Sequence, residues 1–196
     1  MKRENLEWTQ TWWEQANDGD LPRVLLVGDS IVCGYRPFVQ QELRGKAYVD
    51  QFASSKYIAD PFYQKEIMLY AKEYSYDLIH FNHGLHGLGY SPESYRDNLK
   101  EILQMLSAGC PRMMLALSTP ITVKGDNENL APENDVVIRR NEEMKAIAEE
   151  LSLPLNDLYT AMISRPEFRV GDGYHYNEQG RAAQARLVAC RIKEML

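Results

Sequence analysis

Three side chains in this sequence of 196 residues have the types and setting of a nucleophile and its helpers. Ser30 ends Gly28-Asp29-Ser30, directly after the strand-like run Arg23-Val24-Leu25-Leu26-Val27. Asp172 and His175 share the stretch Asp172-Gly173-Tyr174-His175, just before the last helix-like segment. A serine hydroxyl is a weak nucleophile and needs a base within hydrogen-bond reach. Histidine suits that task near neutral pH. Of His80, His83, His86 and His175, only His175 has an aspartate placed to orient it. A carboxylate bonded to one ring nitrogen fixes the tautomer and steadies the imidazolium that forms as serine attacks. The alternative, a polar loop that merely caps the final helix at Asn177, stays open, because short motifs match often by chance.

These residues need elements to carry them, and the hydrophobic pattern supplies a regular alternation. Strand-like runs fall at 24–27, 47–50, 76–82, 112–117 and 153–156. Helix-like stretches fall at 34–44, 60–73, 91–109, 134–151 and 177–196. Asp60-Pro61 and Ser91-Pro92 are capped helix starts with proline at the first position. Gly109 and Pro111 end the third helix. Such alternation predicts a three-layer α/β/α sandwich around a five-stranded parallel sheet, flavodoxin-like in strand order, as a single domain over 1–196. In such sheets ligands bind beyond the carboxyl ends of the strands. Ser30, the 82–89 stretch, Ser118-Thr119 and the loop before His175 all fall on that edge. Residues 1–20 read as a helical extension, with a helix over 5–16. Its Trp8, Trp12 and Trp13 pack across one end of the sheet or, less in keeping with their spacing, form a sugar-stacking platform.

Composition narrows the function. A net charge of −6 argues against nucleic acid, which needs a basic face to displace counterions. No signal-type apolar core occurs at the N-terminus and no run reaches membrane-span length, so a cytoplasmic protein without a membrane partner is expected. Cys33, Cys110 and Cys190 are odd in number and widely spaced, as for reduced structural thiols. His80, His83 and His86 are spaced so that they do not converge on a strand followed by a glycine turn, and no metal is expected.

The serine block and the Asp-x-x-His block together resemble the GDSL/SGNH hydrolase superfamily. That resemblance implies a serine esterase without metal or organic cofactor, using Ser30, Asp172 and His175. It also implies an oxyanion hole. The Ser30 N–H is the first donor, and an N–H at Ala53 or Ser54 stands where the family has a glycine. His86 or Asn82 stands for the family's asparagine. The stretch Asn82-His83-Gly84-Leu85-His86 is similar to a carbohydrate-esterase-like branch with an Asn-x-Gly-Leu-His block. Asp29, Tyr90, Thr119 and Tyr174 are the expected substrate-binding residues, and Tyr176 is a further ring able to stack on a sugar. The polar stretch 121–134 is either a substrate-covering loop or a solvated excursion. The expected substrate is a small acyl ester, most simply acetyl, of a carbohydrate or similar polar alcohol. A binding module that kept the fold and lost the chemistry, and an O-acyltransferase, remain alternatives. Oligomeric state is not readable from the sequence.

Overall fold

The computed structural model describes residues 3–110 and 112–196. Pro111, expected to block the third helix, lies outside the described residues. The elements run β1 (Thr9–Trp12), β2 (Arg23–Gly28), α1 (Ser30–Glu42), β3 (Tyr48–Ser54), α2 (Pro61–Ala71), β4 (Leu78–Asn82), α3 (Pro92–Ser107), β5 (Met113–Ala116), α4 (Asn134–Glu150), β6 (Leu155–Asn156), α5 (Leu158–Ile163) and α6 (Glu178–Lys193). A 3₁₀ turn, Pro166–Phe168, precedes α6.

One six-stranded sheet has the order β1-β3-β2-β4-β5-β6. The five strands from β2 onward are parallel and follow the expected flavodoxin-like order. β2 is buried at every position, as a central parallel strand covered on both faces must be. Its alternate residues serve two cores. Val24 and Leu26 pack with Tyr35 and Val39 of α1 and Val188 and Ile192 of α6. Leu25 and Val27 face Tyr63 and Ile67 of α2, Leu99 and Leu103 of α3 and Met144 of α4. Asp60 and Ser91 cap α2 and α3 through their side chains, each with proline in the first turn.

The sheet has one strand more than expected, and it is mixed. The segment expected as a helix over 5–16 forms β1, antiparallel to β3, with Thr9 opposite Ser54 and Trp12 opposite Gln51. The tryptophan spacing suggested a helix, but Thr9-Gln10-Thr11-Trp12 alternates half-buried and exposed positions with the period of two that an edge strand needs. The three indoles pack on protein: Trp8 edge-on to His86, Trp12 under Arg36, and Trp13 against Tyr70 and Tyr74. At the other end of the sheet, buried Arg23 pairs with Asp50 at 2.9 Å and donates to the carbonyls of Glu14, Gln15 and Asp18. That network fixes the segment leading from β1 into β2.

Candidate active site

Asp29 and Ser30 form the junction where β2 becomes α1. Asp29 caps the helix, its Oδ1 accepting the Ile31 N–H at 3.0 Å. Ser30 is therefore the first helical residue, with no intrahelical acceptor for its N–H and the positive end of the helix dipole behind it. The turn is tight enough to demand glycine before it. A Cβ on Gly28 would lie 2.4 Å from the Asn82 carbonyl oxygen and 2.1 Å from Val32.

The partners come from the loop between the 3₁₀ turn and α6. The loop is folded on itself: Val170 N–H donates to His175 O, and Asn177 N–H donates to Phe168 O. Gly173 sits at φ +96°, with the Thr122 carbonyl oxygen 2.7 Å from where a Cβ would be, so only glycine fits. Asp172 accepts the Tyr174 and His175 backbone N–H groups on one oxygen, and with the other it meets His175 Nδ1 at 2.6 Å. His175 Nε2 lies 2.8 Å from Ser30 Oγ. A carboxylate only accepts, so Nδ1 carries the proton and Nε2 is free to accept from the serine hydroxyl. Burial pushes the Asp172 carboxyl up. The hydrogen bonds from His175 and Tyr174 and the attraction of the imidazole outweigh it and hold the carboxyl at about 2. Residues 145 positions apart in the chain thus meet in a relay of hydrogen-bond length.

A cavity of about 410 Å³ opens over Ser30 and His175, walled by Glu4, Leu85, His86, Leu88 and Tyr174. A larger depression of about 770 Å³ between Phe38, Phe168 and α6 has no nucleophile or imidazole on its walls. Of the residues expected to bind substrate, Tyr174 lines the cavity and is 40% exposed. Asp29 does not: it is buried, and its second oxygen faces the Gly84 and Leu85 N–H groups at 3.5 Å. Thr119 is buried, and Tyr176 is buried in the core. Tyr90 stacks on Tyr57, rings 4.3 Å apart, and lines a neighbouring cavity with Arg3, Glu4 and Leu88.

The four candidates for the remaining oxyanion donors fare differently. Asn82 is unsuited, because its amide group donates to the carbonyls of Ala116 and Leu117 and ties β4 to β5. Ala53 and Ser54 lie buried inside β3, paired with β1 and β2, and line no part of the cavity. His86 does line it, with Nδ1 2.9 Å from Glu4 Oε1. The stretch 121–134 contributes no wall. Thr122 N–H donates to Gly173 O and Gly125 N–H to Gly171 O, so it braces the turn that holds Asp172 and His175.

Two positioning residues were not singled out from sequence. Arg140 of α4 is fully buried and donates to the carbonyls of Gly84, His86 and Gly87, with the Tyr57 and Tyr95 rings packed on its guanidinium. A signal was present: Val137, Arg140, Met144 and Ile147 follow the helical spacing of a buried face, and an arginine there needs acceptors. Glu4 reaches the cavity because Arg3 is latched to Asp60 at 2.9 Å, and nothing in the sequence indicates that contact.

No family model and no curated protein matches this sequence. Solved structures do. An acetylxylan esterase from Geobacillus stearothermophilus superposes with a TM-score of 0.71 at 17% identity, over 87% of this chain and 94% of the other. A lipolytic G-D-S-L family protein from Veillonella parvula gives 0.72 at 19%, over 89% and 99%. A GDSL-like lipase from Bacteroides thetaiotaomicron gives 0.70 at 16%, over 89% of each chain. The fold of this chain is that of the GDSL/SGNH hydrolase superfamily. Among the described residues, no helix is long and apolar enough to cross a membrane.

Proposed function

We propose that the protein is a serine esterase that removes a short acyl group, acetyl in the simplest case, from a carbohydrate or similar polar alcohol. The observation that carries this is the continuous relay Asp172–His175–Ser30, with contacts of 2.6 and 2.8 Å, opening on a cavity. Ser30 Oγ attacks the ester carbonyl while His175 Nε2 takes its proton, and Asp172 steadies the imidazolium. The oxyanion forms at the N-terminus of α1, where the Ser30 N–H and the helix dipole meet it. His175 then returns the proton to the leaving alcohol. Water, activated by the same imidazole, releases the acyl group from Ser30. No step draws on a metal or organic cofactor.

The size of the cavity supports a small acyl group, and its walls of Glu4, His86 and Tyr174 beside Leu85 and Leu88 support a polar alcohol. The superposed acetylxylan esterase lends the same direction. One observation favours a second reading, a binding module on this fold: the Asn82 amide is bonded to backbone and is not available to an oxyanion. Hydrolysis of p-nitrophenyl acetate separates the two. The esterase reading expects turnover that Ser30→Ala abolishes, and equal rates for the two proteins overturn it. Adding an alcohol acceptor and identifying the products tells hydrolysis from acyl transfer.

A further inference from the structure

The arm before β1 crosses the rim of the cavity and is held at two points. Arg3 binds both oxygens of Asp60, at 2.9 and 3.3 Å, and lies over the Phe62 ring. Trp8 exchanges hydrogen bonds with Ser55 where β1 begins to pair with β3. Between these anchors Glu4 enters the cavity wall, its Oε1 facing His86 Nδ1 at 2.9 Å. The Trp8 ring meets His86 edge-on, and Arg140 holds the His86 carbonyl from behind. Backbone and ring of His86 are both fixed.

A carboxylate has no proton to give, so His86 must donate from Nδ1. A neutral imidazole has one N–H, and once Nδ1 holds it, Nε2 carries a lone pair. Among the described residues Nε2 has no hydrogen-bond partner. A lone pair repels a developing oxyanion but receives a hydroxyl. We propose that Glu4 is a positioning residue that, through His86, makes the cavity a hydroxyl-recognition site: His86 Nε2 accepts a hydrogen bond from a free hydroxyl on the alcohol part of the ester. This rests on the esterase reading and assigns His86 to the substrate rather than to the oxyanion. The arm thereby supplies the selectivity for polyols.

Nitrogen-15 NMR of the histidine rings and a matched substrate pair test it together. The spectrum of the wild type should show His86 protonated at Nδ1 and bare at Nε2, and Glu4→Ala should release that tautomer. Glyceryl monoacetate and propyl acetate differ only in two hydroxyls. Glu4→Ala should raise the ratio of KM for the first ester to KM for the second by about three- to tenfold, the worth of one neutral hydrogen bond. Glu4 is half-exposed, and an unchanged melting temperature confirms that the variant is folded. A proton on Nε2 in the wild type, an unchanged KM ratio, or an equal fall of kcat on both esters overturns the proposal, the last because it marks an oxyanion donor. If Ser30→Ala hydrolyses both esters as fast as the wild type, the esterase reading fails instead, and the tautomer still decides whether Glu4 sets the ring.

Discussion

In the proposed reaction His175 can serve as the base only because Asp172 claims its other nitrogen. Asp172→Asn leaves the packing intact and removes control of the tautomer, so kcat should fall about 10³- to 10⁴-fold with little change in melting temperature. A fall below tenfold would contradict the role. Asp172, held at about 2, stays ionised throughout the working range. A carboxylate with a depressed pKa adds stability above its unfolded value near 3.8, and that stability is lost only as pH falls toward 2. Consequently no protonation near pH 4 in the kcat/KM profile should come from Asp172. That these three side chains would meet was legible in the sequence, because each chemical demand maps on to one residue type at one place. The oxyanion and substrate residues were not. Asp29, Asn82 and Thr119 share polarity and strand-end position with a binding residue, and only burial and partners tell them from one.

At the scale of elements, α4 and β4 hold the site from behind. Arg140→Met keeps the stem of the side chain but leaves three loop carbonyls without their donors. Unfolding free energy in urea should drop by about 2–4 kcal/mol, with activity falling alongside; a stable, fully active variant would refute the clamp. In and just after β4, His80 and His83 are both fully buried, and burial lowers each imidazole to about 4 from the ordinary 6.5. The unfolded chain binds protons that the native state refuses, so stability is unaffected above pH 6.5. It falls as pH drops through 6.5 and levels off near 4, by a few kcal/mol for the pair on the order of magnitude. Urea titrations across that window should show the slope, and His80→Leu should reduce it by about half, His83 supplying the rest; a profile flat from pH 7 to 4 would contradict the burial. The parallel strands and long helices were readable because period and length agree. β1 was not, since four residues carry too little pattern to outweigh three tryptophans at helical spacing. α5 was not either, since its six residues lie between 156 and 177, where the hydrophobic pattern marked no element.

Taken whole, the molecule places the carboxyl ends of β2, β4 and β5 and the loop before α6 along one edge, and the cavity lies there rather than on the larger depression beside α6. That placement was predictable from topology alone, because ligands gather where parallel strands end. The N-terminal arm was beyond reach of sequence, since it depends on an ion pair between Arg3 and Asp60 and on pairing of β1 at the far side of β3. Deleting residues 1–12 should keep the parallel sheet, expose the β3 edge and lower the melting temperature, and differential scanning calorimetry reads this directly. The central claim is that Ser30 is a nucleophile made reactive by His175. A fluorophosphonate probe followed by peptide mass spectrometry tests it most directly. The wild type should be labelled at Ser30, and His175→Ala should slow labelling at least about 10²-fold without unfolding the protein. A folded wild type that stays unlabelled, a label on another residue, or equal labelling of wild type and His175→Ala would contradict it.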